Sequence, residues 1–289
     1  MTNVVILGAT GMLGSRVLEV FNYSGLNVFQ SSRHKSNLGK SSLFLDPLTN
    51  DFDDLSKVLR PGDYIINCIG VIKPHINENS NESVINAIKV NSLFPRDLYE
   101  LLRKKEVKVI QIATDCVFSG LKGDYSEKDM HDCLDVYGKT KSLGEVTGEN
   151  FMNLRCSIIG PEIKSSKSLF EWIKNQEKNT NLKGFEDHIW NGVTTTVFGQ
   201  ICLGIVRNNL FQSGTFHLVP KDKVSKYELL SLISTKLNRH DLKIDKIKSG
   251  TVINRTLSTT FSDVNEKFWN SLVSKRVLTI SEMINDYLL

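Results

Sequence analysis

Tyr137-Gly-Lys-Thr-Lys141 sets a phenol four residues ahead of an ammonium, a spacing that places both on one face of a helix. An ammonium there favours the phenolate, so the spacing predicts a Tyr137 that works as an acid/base near neutral pH. A second segment, Gln111-Ile-Ala-Thr114-Asp-Cys116, ends an apolar run. Ligands of open parallel sheets bind at the carboxyl edge, where Thr114 can donate a hydrogen bond to a substrate oxygen. Two residues further along an extended chain, Cys116 is expected to face the same way as Thr114. The third segment is Gly8-Ala-Thr10-Gly11-Met12-Leu13-Gly14, placed between an apolar run and an amphipathic stretch. Glycine permits a tight turn and a close phosphate, and a helix N-terminus adds positive potential, so this turn predicts a dinucleotide site. An NAD site places an acid about 20 residues later. Here that region is Val28-Phe-Gln-Ser31-Ser32-Arg33-His-Lys35, with no acid. Arg33 and Lys35, helped by Ser31 or Ser32, suit a 2′-phosphate, which favours NADPH/NADP over NAD.

These residues need a frame. Apolar runs at Asn3–Leu7, Leu26–Gln30, Ser42–Asp46, Tyr64–Asn67, Lys108–Ala113 and Met152–Ile158 read as strands. Helical patterns lie between them: Ser15–Phe21, Asp51–Leu59, a long one from Ser83 to Lys104 bent at Pro95, and Tyr137–Gly148. Alternation of this kind predicts a Rossmann-type, doubly wound parallel α/β sheet covered on both faces. Residues 1–155 read as the dinucleotide-binding domain, and 156–289 as a smaller α/β substrate lobe interleaved with it. In that lobe Ser168–Lys178, Thr195–Arg207 and Ile280–Leu289 read as helices. Ser225-Lys-Tyr-Glu228 is a capping box for another that ends near Leu237. The basic stretch Lys236–Lys248 reads as a solvated face.

GATGMLG, Thr114-Asp-Cys-Val117-Phe118-Ser-Gly120 and Tyr137-Gly-Lys-Thr-Lys-Ser-Leu-Gly-Glu145 together resemble the extended short-chain dehydrogenase/reductase family. Within it the likeness is to dTDP-4-dehydrorhamnose reductase and related nucleotide-sugar 4-ketoreductases. Asn67-Cys68-Ile69-Gly70 resembles the family's cofactor-contacting turn, Val90-Asn91-Ser-Leu-Phe-Pro95 its central helix, and Leu154-Arg-Cys-Ser157-Ile158-Ile-Gly160 the strand bordering the nicotinamide. Asp46 falls where the family's adenine lies. Asn254-Arg255-Thr-Leu-Ser-Thr259 is similar to a late Arg-Pro segment, with Thr256 in place of the proline.

The resemblance implies NADPH reduction of the C4 ketone of a nucleotide-linked 4-keto-6-deoxyhexose. Tyr137 would protonate the alkoxide, Thr114 would hold its oxygen, and Lys141 would tune Tyr137 and bind the nicotinamide ribose. Substrate contacts fall to Lys73, Val117, Phe118, Trp190 and Arg255. The Thr-x-Cys arrangement is similar to that of bifunctional epimerase/reductases, in which a thiolate removes a proton beside the ketone. This extends the expectation to C3, or C3 and C5, epimerisation by Cys116, with Lys164, Lys167, His188 or His217 as the second group. The nucleotide (UDP, dTDP or GDP) and the C2 substituent stay open. A non-catalytic NADP-binding regulatory subunit on the same fold is the alternative.

Composition sets the outer limits. In 289 residues, 36 basic side chains against 32 acidic ones leave +4, too small and dispersed an excess to indicate nucleic acid. Ile201–Val206, the longest apolar run, is too short for a membrane span. Five cysteines without a CxxC pair argue against a disulfide framework or a metal site, so a reduced, cytoplasmic protein is expected. Helices flanking such sheets often pair, which makes a homodimer a further expectation.

Overall fold

The computed structural model describes residues 2–34, 39–49, 51–163 and 168–288. Lys35, Lys164 and Lys167 lie outside them. The first half runs β1 (Asn3–Leu7), α1 (Met12–Asn22), β2 (Asn27–Ser32), β3 (Ser42–Phe44), α2 (Asp53–Val58), β4 (Tyr64–Asn67), α3 (Asn81–Ile88), α4 (Phe94–Leu102), β5 (Lys108–Ala113), α5 (Val136–Leu143) and β6 (Phe151–Arg155). The second half runs β7 (Ile158–Ile159), α6 (Leu169–Lys174), β8 (Asn181–Phe185), β9 (His188–Trp190), β10 (Val193–Thr194), α7 (Thr195–Arg207), β11 (Gly214–His217), β12 (Val224–Ser225), α8 (Lys226–Lys236), β13 (Lys243–Ile247), β14 (Ile253–Asn254), α9 (Ser262–Asn270) and α10 (Ile280–Tyr287).

Seven strands form one parallel sheet in the order β11-β6-β5-β4-β1-β2-β3. Successive residues of β1 feed opposite cores: Val4 and Ile6 pack on the side of α1 and α7, and Val5 and Leu7 on the side of Leu55, Phe94 and Leu98. A strand buried on both faces needs an apolar side chain at every position, which is why β1 reads as an unbroken apolar run. The chain winds outward from β1 in both directions, so a crevice opens above β1 and β4 at their carboxyl ends. The lobe is interleaved with this sheet, because residues 214–217 return to pair with β6 as its edge strand.

Three details depart from the sequence reading. The expected strand Met152–Ile158 breaks after Arg155 and resumes as β7, which pairs with β10 instead of the main sheet. The expected solvated face Lys236–Lys248 contains β13, paired in parallel with β8. The long helix is interrupted not at Pro95 but just before it, by a π-helical turn over Lys89–Leu93. Proline has no N–H to give the carbonyl four residues back, so the ladder opens there. Position 144 lies against that carbonyl: a Cβ on Gly144 would sit 1.8 Å from the Asn91 backbone oxygen. Glycine is what lets α5 end on the bulge.

A buried charge network ties the two halves together. Arg155, at the end of β6, makes a two-pronged pair with Glu145 (2.8 and 2.6 Å) and also bonds His217 (2.7 Å) and His131 (2.8 Å). A guanidinium only donates, so both imidazoles accept through Nε2 and are neutral. Their Nδ1 atoms face the Ser258 carbonyl (2.7 Å) and the Ser142 hydroxyl (2.6 Å). Burial, with Arg155 adding to it, pushes His217 down to about 4, and burial likewise lowers His131. An unfolded histidine titrates near 6.5, so the unfolded chain binds the extra proton first as pH falls. Stability is therefore full above about pH 7 and is lost as pH drops toward 4. Urea unfolding at pH 7 and pH 5 should differ by about 2 kcal/mol from His217 alone, and His217→Gln should flatten that difference.

Candidate active site

A cleft of about 620 Å³ lies above the carboxyl ends of β1, β4 and β5. Its first wall is the glycine turn, contributed by Thr10, Gly11, Met12 and Leu13. Gly11 is the N-cap of α1 and no side chain caps that terminus, so its free N–H groups are open to an anion. Gly8 and Gly14 act behind the wall. The Gly8 amide donates to Ser31 Oγ (3.0 Å), and a Cβ on Gly14 would sit 2.2 Å from the Gly8 carbonyl oxygen. Such a terminus suits a dinucleotide's pyrophosphate. Cys68, Ile69 and Gly70 from the turn after β4, and Ser157 and Ile158 beyond β6, continue the lining.

The candidate reacting groups Thr114, Tyr137 and Lys141 line the same cleft. Thr114 caps a 3-10 turn over Asp115–Val117, its hydroxyl accepting from the Cys116 amide (3.1 Å) and donating to Asp115 Oδ1 (3.2 Å). Asp135 caps α5 through the Gly138 amide (2.8 Å) and so fixes Tyr137 in the first turn. Thr114 and Tyr137 both line the cleft. One helical turn on, Lys141 is buried and donates to the Ile112 carbonyl (2.9 Å).

The electrostatics correct one expectation. Lys141 does not pull the Tyr137 phenol down; burial, with Cys116 next, raises it well above its usual range. At neutral pH the phenol keeps its proton and is a donor, not a base. Burial brings Lys141 down to about 8, opposed chiefly by Glu145. Burial also raises Asp115, opposed by Arg255 and Lys226.

Cys116 lines the cleft as expected, but for a different reason. It sits in the 3-10 turn, so strand alternation does not aim it. Its thiol is pushed up to about 12 by burial and by Asp115. Among the expected second groups, His188 lines the cleft, whereas His217 is held in the Arg155 network and is removed from it.

Other expected contacts divide. Trp190 and Arg255 line the cleft, Trp190 donating to Ser157 Oγ (2.8 Å) and Arg255 to the Phe118 carbonyl (2.9 Å). Val117 and Phe118 are fully buried, Phe118 stacked on Tyr125 at 4.3 Å, so they pack and do not line. Lys73 points to Asp135 (2.9 Å) while its neighbours Ile72, Pro74 and His75 line the wall. Asn91, 1% exposed, bridges the Val71 amide and carbonyl (2.8 and 2.9 Å) to the Thr140 hydroxyl (3.1 Å), so it props the wall from behind. Ser32 bonds the His34 amide, Arg33 is exposed at the end of β2, and Asp46 holds the Leu48 amide (3.0 Å); all three lie outside the cleft.

The sequence reading missed Lys226 and Asp115. Lys226 opens α8 inside the Ser225/Glu228 capping box, directly after Ser225, which was the signal available. Replacing Lys141 by Met removes a charge held in an apolar floor. The unliganded chain should gain about 1–2 kcal/mol in urea unfolding at pH 7, and a loss of stability would contradict the burial cost assigned to Lys141.

The comparisons fit this geometry. Methionine adenosyltransferase 2 subunit beta from Rattus norvegicus is 24% identical over 269 residues, covering 86% of this chain and 76% of that protein. A dTDP-4-keto-6-deoxy-D-glucose reductase from Streptomyces niveus is 21% identical over 188 residues, 63% of this chain and 65% of its own. The crystal structure of dTDP-4-dehydrorhamnose reductase from Bacillus anthracis, in complex with NADP, superposes with a TM-score of 0.77 at 18% identity and 99% coverage of each chain. The family description RmlD substrate binding domain matches residues 1–287, so the chain belongs to that family.

Proposed function

We propose that this chain is an NADPH-dependent reductase of the C4 ketone of a nucleotide-linked 4-keto-6-deoxyhexose. The observation that carries the reading is that Tyr137, Thr114 and Lys141 line one cleft with an uncapped helix N-terminus as its wall. Bound NADPH would supply the hydride. Thr10–Leu13 would hold its pyrophosphate, Cys68–Gly70 and Ser157–Ile158 would border it, and Arg33 at the end of β2 would face the 2′-phosphate.

The chain's own groups do the rest. Thr114, once its hydroxyl turns from Asp115, and Tyr137 donate hydrogen bonds to the ketone oxygen, and both bonds strengthen as negative charge grows there. Tyr137 then gives up its proton to the developing alkoxide, and Lys141, which lines the same cleft, would bind the nicotinamide ribose. Trp190, Lys226 and Arg255 are the lobe's contribution to sugar and diphosphate.

The reading extends to epimerisation by Cys116, with His188 as the expected partner that shares the cleft. Donors that polarise the C4 ketone acidify the C–H bonds beside it; a Cys116 thiolate would be the base, which the burial and the Asp115 charge that raise the thiol to about 12 oppose in the unliganded cleft. A second reading, a non-catalytic NADP-binding subunit, is favoured by the likeness to methionine adenosyltransferase 2 subunit beta.

Incubation with NADPH and a panel of UDP-, dTDP- and GDP-4-keto-6-deoxy sugars, followed by absorbance and product NMR, separates these. Turnover supports the reductase. NADPH binding without oxidation, together with altered kinetics of a methionine adenosyltransferase, supports the subunit. Tyr137→Phe should lower kcat by about 10²- to 10⁴-fold with NADPH affinity nearly unchanged, and wild-type turnover by that variant would refute the assignment. In D2O, deuterium at C3 or C5 of the product that vanishes with Cys116→Ser supports epimerisation; a product without ring deuterium ends it.

A further inference from the structure

Thr114 is asked for more hydrogen bonds than its hydroxyl can make beside an ionised neighbour. A hydroxyl carries one proton and two lone pairs. The Cys116 amide, 3.1 Å away, occupies one lone pair. Asp115 Oδ1 stands 3.2 Å away and must meet either the proton or the second lone pair. An ionised Asp115 only accepts, so it takes the one proton and leaves Thr114 nothing to donate to a substrate oxygen. Turning the hydroxyl toward substrate would then leave a buried carboxylate unpaired, which is costly. A protonated Asp115 reverses the bond. Its O–H donates to the second lone pair, and the Thr114 proton is free for the cleft.

The surroundings favour the protonated form. Asp115 is 8% exposed, and no ion pair holds it among the described residues. Facing it are Cys116 in the same turn, Tyr137 on α5, Cys156 beyond β6, Lys226 opening α8 and Arg255 after β14. Burial keeps both thiols and the phenol protonated at neutral pH. Only Lys226 and Arg255 bring charge, and burial lowers Lys226 in its turn. Burial is also the dominant influence on Asp115 and raises it against those two cations. A carboxylic acid kept neutral by its surroundings is a hydrogen-bond donor.

We propose that Asp115 is a positioning residue: it carries a proton, donates that hydrogen bond to Thr114, and so turns the Thr114 proton toward the substrate oxygen. The proposal rests on the ketoreductase reading for the identity of that oxygen, the C4 ketone. The Asp115 proton comes from solvent and stays on the carboxyl through turnover. Neutral Asp115 is the low-pH form. Thr114 is therefore a donor at low pH and loses that role as pH rises past the Asp115 pKa.

The test is the pH dependence of kcat with NADPH and whichever UDP-, dTDP- or GDP-linked 4-keto-6-deoxy sugar turns over. Wild type should show an alkaline limb of about tenfold per pH unit from loss of the Asp115 proton. Asp115→Asn, whose amide donates at every pH, should remove this limb and leave only that of Lys141, which titrates near 8. Lys226→Met removes a charge that favours the carboxylate, and should move the Asp115 limb up by about one pH unit. Thr114→Val takes away the recipient of the bond. It should lower kcat about 10²- to 10³-fold, and adding Asp115→Asn to it should change nothing further. Thermal melts check that each variant is folded, and Lys226→Met carries the test if Asp115→Asn is not. Difference infrared spectra of the NADP-bound chain, wild type against Asp115→Asn, read the proton itself. A protonated carboxyl C=O band at pH 7 that shifts in D2O is expected. A carboxylate band in its place, or an alkaline limb that neither Asp115→Asn nor Lys226→Met moves, overturns the proposal. Absence of turnover with every sugar refutes the ketoreductase reading instead, and the infrared band then decides the state of Asp115 by itself.

Discussion

One ammonium group buried in the floor of an apolar cleft constrains the surrounding architecture. Lys141 is surrounded by Ile112, Cys68 and Cys156, where a charge is costly unless polar groups face it. The Ile112 carbonyl accepts one of its protons, and Glu145 supplies the opposing charge. Glu145 is in turn held by Arg155, and Arg155 by two neutral histidines. A chain of obligations thus runs from one side chain across the whole molecule, ending at the Ser258 carbonyl of the second lobe.

The sheet itself takes part. Asn67, Gln111 and Asn153 sit in register on β4, β5 and β6 and join through buried amides (2.9 and 3.1 Å). Gln111 also donates to the Gly144 carbonyl (2.8 Å), and Asn153 to that of Val146 (2.9 Å). These bonds moor the end of α5, so the helix that carries Tyr137 and Lys141 is fixed to the strand that carries Thr114. Rigid support of this kind is what positions a proton donor against a substrate oxygen.

Much of this was legible in the sequence, and the failures are instructive. The buried strands announce themselves because both faces need apolar residues, and the glycine turn because strand, turn and helix follow in order. Thr114, Tyr137 and Lys141 line one cleft. Cys116 was misread as strand because Thr114 captures the Cys116 amide and turns the chain, a local bond that outcompetes extension. The lobe's two- and three-residue strands left no pattern, since long-range pairing alone makes them. Lys243–Ile247 is solvated as read, with Lys243 and Lys246 exposed, but its half-charged alternation hid a strand. Val117 and Phe118 adjoin the reacting threonine in sequence yet turn away into their own small cluster with Tyr125 and Leu257.

The edge strand drawn from residues 214–217 has a consequence for biogenesis. On a ribosome the first 155 residues emerge with β6 as an open, apolar sheet margin, and its covering strand is still some sixty codons away. The nascent first half is therefore an incomplete object until well after its own sequence has been made. Proteolytic severing between the halves would leave the same raw margin, so the two parts of this chain are bound to be made, kept and degraded together.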